Sequence, residues 1–166
     1  CLTMAVPDPQ QLDGLARECS AAIAGEMERR AAAARRRAVL DGLASLGYEV
    51  REGMDTAWAD AGRVVLRKPA TPGYGVEVGG RAEAGRLQVR AVSLSDANDR
   101  ARDRDIETIW CGEFSRLRAL LGQQGSELVV ERALGVGEVP LKVVEATRAD
   151  GQAAPAAVTR PGRREP

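Results

Sequence analysis

The chain contains no histidine. Serine–histidine–aspartate and cysteine–histidine nucleophilic arrangements are therefore unattainable within it, and the commonest zinc ligand is missing. Aromatic residues are 3% of the 166. The core must then rest on Leu, Val and Ile, with Trp58, Trp110 and Phe114 as its few large pieces. Lysine is nearly absent: Lys68 and Lys142 stand alone, and neither sits in an SxxK-like spacing. The three cysteines, Cys1, Cys19 and Cys111, are odd in number and lack CxxC spacing, which argues against a disulfide framework and a zinc site. No apolar run approaches the roughly 18 residues that cross a bilayer. The first residues lack a basic n-region and an apolar h-region, so no signal peptide is read there. Formal net charge is zero, so no global field draws the molecule to nucleic acid or membrane. These absences imply a cytoplasmic protein without cofactors and without a membrane span. Residues 1–8 read as disordered or as a fragment start, since the chain opens on Cys1.

What is present begins with a helical signal from Pro9 to Leu46, about 38 residues and about 57 Å long. Its apolar stripe carries Leu12, Leu15, Ala16, Cys19, Ile23 and Met27, thins to Ala31, Ala34 and Ala38, and recovers at Val39, Leu40, Leu43 and Leu46. Gly25 is a weak point costing roughly 1 kcal/mol relative to Ala, and a helical hairpin broken there is the competing arrangement. The heptad pattern is not clean enough for a leucine-zipper seam. A helix this long exceeds what a small α+β body needs, so part of it should project or pair. At Gly47, a natural helix C-terminal cap, the hydrophobic period switches from about 3.6 to 2.

Four strand-like segments come next, Tyr48–Met54, Arg63–Lys68, Tyr74–Gly79 and Arg86–Leu94, separated by turn chemistry that favours an antiparallel meander. A second helix is expected over Asp99–Leu121, with Ile106, Trp110, Phe114, Leu117 and Leu121 on one face and Asp99 or Ser95 as its cap. Ser126–Ala133 and Val139–Ala146 read as two further strands joined around Gly135-Val136-Gly137. The expected class is α+β: a long N-terminal helix, a four-stranded antiparallel β-meander, a covering helix and a C-terminal β-hairpin. The helix takes 9–47, the α+β domain 48–148, and an Ala/Pro/Arg-rich tail, 149–166, cannot bury enough apolar surface to order itself.

Motifs that could carry chemistry are thin. The glycines around Gly73-Tyr74-Gly75 and Gly79-Gly80 bracket a strand and lead into no helix, so they do not form a phosphate loop. The acidic run Asp96–Asp105 is interleaved with arginines and lacks calcium-loop spacing. Asp60, Glu77 and Gln88-Val89-Arg90 echo the carboxylates and Glu-x-Lys of metal-dependent nucleases, but Gln and Arg replace the ligand and the lysine.

Strand alternation is more informative. Pairing Arg86–Arg90 with Tyr74–Gly79 sets Val78 against Leu87 and Val76 against Val89, with Val64 and Leu66 on the same core face. The opposite face then carries Arg63, Arg67, Arg86, Gln88 and Arg90 around Glu77, a basic surface suited to an anion or a partner. Arg29-Arg30 and Arg35-Arg36-Arg37 cluster on the first helix. The excess of Arg over Lys fits a GC-rich bacterial coding bias, which lowers the information in each arginine cluster.

These readings converge on a non-catalytic bacterial interaction or assembly module. It would self-associate or dock a protein partner through Leu12, Leu15, Cys19, Ile23 and Met27. The alternatives are a nucleic-acid-binding accessory protein using the Arg-rich helix or the basic sheet face, and a degenerate metal-dependent nuclease.

Overall fold

A computed structural model of the chain describes residues 8–80, 85–95, 99–125, 129–130, 137 and 140–144. The expected segment 1–8, but for Asp8, and the tail 149–166 lie outside the described residues. The class is α+β. Three helices, α1 (Pro9–Ser45), α2 (Met54–Ala61) and α3 (Arg100–Gln123), accompany strands β1 (Arg63–Arg67), β2 (Tyr74–Gly79), β3 (Arg86–Ser93), β4 (Val129–Val130) and β5 (Lys142–Val143).

Helix α1 runs unbroken through Gly25, so the hairpin alternative does not occur. Asp8 caps its start by accepting from the Gln10 amide at 3.2 Å, and Pro9 occupies the first turn where an N–H has no helical partner. Its end is a Schellman motif. Gly47 adopts φ +92°, the Tyr48 amide donates to the Leu43 carbonyl at 3.1 Å and the Gly47 amide to that of Ala44 at 3.0 Å. The cap expected at Gly47 is therefore present.

The segment after Gly47 differs from the expected strand Tyr48–Met54. Only one backbone bond, from the Glu49 amide to the Arg67 carbonyl at 2.8 Å, links this stretch to the edge of β1. Gly53 then turns with φ +81° into α2, a conformation that ends extended structure. Met54 and Trp58, four residues apart, share a helix face, and Trp58 is buried. The drive to bury this indole overrides the strand-like pattern before it.

The sheet is mixed, not a pure meander. β1, β2 and β3 pair antiparallel in that order, while β4 and β5 both run parallel to β3, opposite Arg86–Leu87 and Val92–Ser93 respectively. A C-terminal hairpin would require antiparallel neighbours, so the described parts of these strands correct that expectation. The reason is α3: a parallel partner needs a crossover of a dozen or more residues, and the 24-residue helix supplies it. Asp99 caps α3, its carboxylate accepting from the amides of Ala101 and Arg102 at 3.1 and 3.2 Å.

The core lies between the sheet and the helices. Val64, Leu66, Val76, Val78 and Leu87 meet Ile106, Trp110, Leu117 and Leu121, with Val50, Val89 and Phe114 at the margin. From α1 only Ala32 onward contributes: Ala32, Val39, Leu40 and Leu43 are buried. The α1–α3 crossing is close at Gly42, where a Cβ would stand 2.6 Å from Leu117 Cδ1. The strand register is two residues away from the expected one. Val78 faces Val89 and Val76 faces Ala91, because Gly79 and Gln88 end the ladder. A shift of two preserves the parity, so every residue keeps its face.

Candidate functional site

Three features combine charge or apolar exposure with defined geometry. The first is the N-terminal half of α1. No residue from Pro9 to Ala31 is buried. Leu12, Leu15, Ile23 and Met27 are 51, 61, 61 and 67% exposed, and Cys19 is exposed between them. At about 100° per residue these five fall within an arc of about 120°. Ala32, Val39, Leu40 and Leu43 lie about 180–280° from Leu12 on the same count, with Leu40 bordering the direction of Leu15. The helix therefore carries two apolar faces, one per half and turned about 130° from one another, where the sequence reads as a single stripe that thins and recovers. The C-terminal face anchors the helix to the body. The N-terminal face extends about 34 Å over residues 9–31 and is left uncovered by the described residues of the body.

The arginines of this helix hold local carboxylates. Glu26 accepts from Arg29 Nη2 at 2.6 Å and Arg30 Nε at 2.8 Å, which keep its carboxyl below the usual range. Arg35 bridges to Glu28 at 3.3 Å. These are exposed pairs, screened by solvent, and they add little to stability.

The second feature is the outer sheet face. The register places Glu77 opposite Arg90 and Val65, with Gln88 opposite Gly79, Arg67 opposite Gly75 and Arg63 opposite Gly79. The basic face is thus assembled on one side. Glu77, only 6% exposed, sits at its centre. Arg90 donates to its Oε1 through Nε at 2.8 Å and also through Nη2; Lys142 Nζ stands 3.2 Å and Arg63 Nη1 3.8 Å from Oε2. Burial by itself would raise the Glu77 pKa, but Arg90 and Lys142 outweigh it and hold the carboxyl below its ordinary value. One carboxylate thus gathers three cations from three strands. Lys142 was not foreseeable, because it arrives 65 residues later through a parallel strand.

The third feature was missed in the sequence altogether. The Tyr48 hydroxyl donates to Glu113 Oε2 at 2.7 Å, Lys68 Nζ donates to Oε1 of the same carboxylate, and Lys68 lies 5.1 Å above the Tyr48 ring. Beside it, the Tyr74 hydroxyl donates to Asp103 Oδ1 at 2.9 Å. Burial, reinforced by these carboxylate partners, pushes the Tyr48 phenol well above its usual range and raises that of Tyr74. The cleft they line with Thr71, Ile109 and Trp110 has a volume of ≈ 10 Å³, room for about one water. Such a cleft joins the end of α1 to α3 and the sheet; it does not admit an organic substrate.

Asp60 is exposed on α2, while Glu77 is committed to its three cations. Among the described residues no group of three or more His, Cys, Asp or Glu side chains is placed to hold a metal ion. No described helix is long and apolar enough to cross a membrane. No family model, curated protein or solved structure matches this chain. The function must accordingly be argued from the chain's own surfaces.

Proposed function

We propose that this protein is a non-catalytic interaction or assembly module of the cytoplasm. Its working element is the projecting half of α1, which self-associates or docks a protein partner. One observation carries this reading: four large apolar side chains, each more than half exposed among the described residues, line one face of a helix segment in which nothing is buried. Scattered exposed apolar residues need no explanation, but a contiguous stripe of them on one helix marks an interaction surface. A helix laid in an apolar groove or against another helix reads its partner through such i, i+3, i+4 anchors. The test compares the full chain with Leu15→Glu/Ile23→Glu by light scattering and by protein content after purification. The wild type should run above monomer mass or carry a stoichiometric partner. The double variant should lose both while keeping its melting temperature. A wild type that is monomeric and partner-free sinks the reading.

A second reading rests on the outer sheet face, where Arg63, Arg90 and Lys142 outnumber Glu77. That surplus of positive charge suits a phosphate backbone. It lacks an aromatic platform for stacking bases, which places it behind the first. Binding to a labelled duplex at low salt, abolished by Arg86→Glu/Arg90→Glu and by added salt, would favour it; no binding at low salt removes it.

A further inference from the structure

Resting on the reading of α1 as the docking element, we infer that its occupant is a second copy of this chain, paired antiparallel about a two-fold axis near Cys19. An isologous contact needs a self-complementary surface, in which the residue at one distance before the axis fits the residue at the same distance after it. The stripe has this property. Leu15 and Ile23 each lie four residues from Cys19, and Ala16 and Ala22 each lie three. Leu12 and Met27 lie seven and eight away, and Asp8 and Arg30 eleven. Small side chains at the centre let two helices approach closely. Large apolar ones flank them, and opposite charges close both ends.

The ends decide the direction. In a parallel, in-register pair Asp8 would face Asp8 and Arg30 would face Arg30; the antiparallel pair sets each aspartate beside the other copy's arginine. Arg30 is 80% exposed and gives only its Nε to Glu26. Among the described residues no group takes its Nη donors, so they are placed to meet a carboxylate from outside. About an axis at Cys19 residue 8 lies opposite residue 30, so the charge match between the copies is confined to the two Asp8–Arg30 ends. The described part of the partner helix starts at Asp8, opposite Arg30, before the anchoring residues Ala32, Val39, Leu40 and Leu43 begin, so each body stays clear of it. Four large side chains per copy bury a modest area, which places the pair among weak, reversible contacts.

The test uses the full chain with Cys1→Ser and Cys111→Ser, so that Cys19 is its one thiol. Sedimentation velocity from about 1 to 500 μM, the range in which weak pairs populate, should show a concentration-dependent monomer–dimer equilibrium. Leu15→Glu/Ile23→Glu should abolish it. Direction is read by cysteine placement: one chain carries Leu15→Cys with Cys19→Ser, the other Ile23→Cys with Cys19→Ser. On mixing and mild oxidation the antiparallel pair gives the mixed 15–23 disulfide. Links of 15 to 15 and 23 to 23 without the mixed product overturn the antiparallel arrangement. A dimer that survives the double glutamate variant overturns the stripe as the interface. A full chain that stays monomeric overturns self-pairing. If that monomer still carries a partner lost on Leu15→Glu/Ile23→Glu, the docking reading stands alone; if it carries none, both fall.

Discussion

Glu77 shows how much one side chain organises. It is a buried carboxylate on the central strand, facing away from the core, and it persists as an anion because Arg63, Arg90 and Lys142 close over it. A buried charge without such partners would be strongly destabilising. Its pKa is lowered from 4.5 in the folded state. The native state therefore binds fewer protons there than the unfolded chain, and the stabilisation is complete above about pH 4.5. It is lost as pH falls through the lower folded value. Arg63 and Arg90 are 62 and 53% exposed, so solvent screening keeps the contribution moderate. Glu77→Gln should cost about 1–3 kcal/mol at pH 7 and flatten the acid limb of stability. Urea unfolding at intervals from pH 3 to 7 checks this, and parallel curves for the two proteins would contradict it. The sequence places Glu77 among arginines by strand parity alone. It gives no sign of Lys142, nor of Glu113 beneath Tyr48 and Lys68, because those two partners lie 65 and 45 residues from Glu113 and meet it only through tertiary packing.

At the scale of elements, local chemistry was legible where it acts locally. Gly47 and Asp99 name their caps, and the apolar spacing of Ile106, Trp110, Leu117 and Leu121 names the buried face of α3. Helix α2 was not legible, since eight residues between Gly53 and Gly62 are too few to show a period and only the burial of Trp58 reveals their role. Helix α1 was legible in extent but not in its division, because its apolar residues sum to almost no net amphipathicity over the whole length. The division makes two glycines of one helix behave oppositely. At Gly25 a new Cβ would meet only Arg29 Nη1 at 3.9 Å, so Gly25→Ala should favour the helical state of the projecting half by about 0.5–1 kcal/mol through backbone entropy. At Gly42 the new Cβ would press on Leu117 Cδ1 in a buried site. Gly42→Ala should then lose about 1–3 kcal/mol to overpacking, set against a gain of up to about 1 kcal/mol in propensity. Far-ultraviolet circular dichroism should show more helix for Gly25→Ala with an unchanged melting midpoint, whereas Gly42→Ala should lower the midpoint. A midpoint that moves in both variants would mean that both halves of α1 belong to one cooperative unit.

At the scale of the whole molecule, the fold is a body to which half a helix is attached as an appendage. The two should respond independently to change. The body is closed where Trp110 meets the ring of Tyr48 edge-on at 6.2 Å and that of Phe114 at 5.7 Å, joining the exit of α1 to α3. Trp110 also lines the cleft that holds Tyr74 and Glu113 against the sheet. With 8% of its surface exposed, removing it opens a cavity where α1, α3 and the sheet meet, and leaves the Tyr48–Glu113 hydrogen bond unsupported. Trp110→Ala should cost about 3–5 kcal/mol, enough to consume much of the roughly 5–15 kcal/mol that holds a domain of this kind. In urea the midpoint should fall steeply for Trp110→Ala. It should stay within experimental error for Leu15→Glu/Ile23→Glu measured at concentrations where the chain is monomeric. The pairing of α1 should be lost only in the second variant so long as the first is kept folded. If Leu15→Glu/Ile23→Glu lowers the midpoint as Trp110→Ala does, the exposed stripe belongs to the body's core and the appendage does not exist.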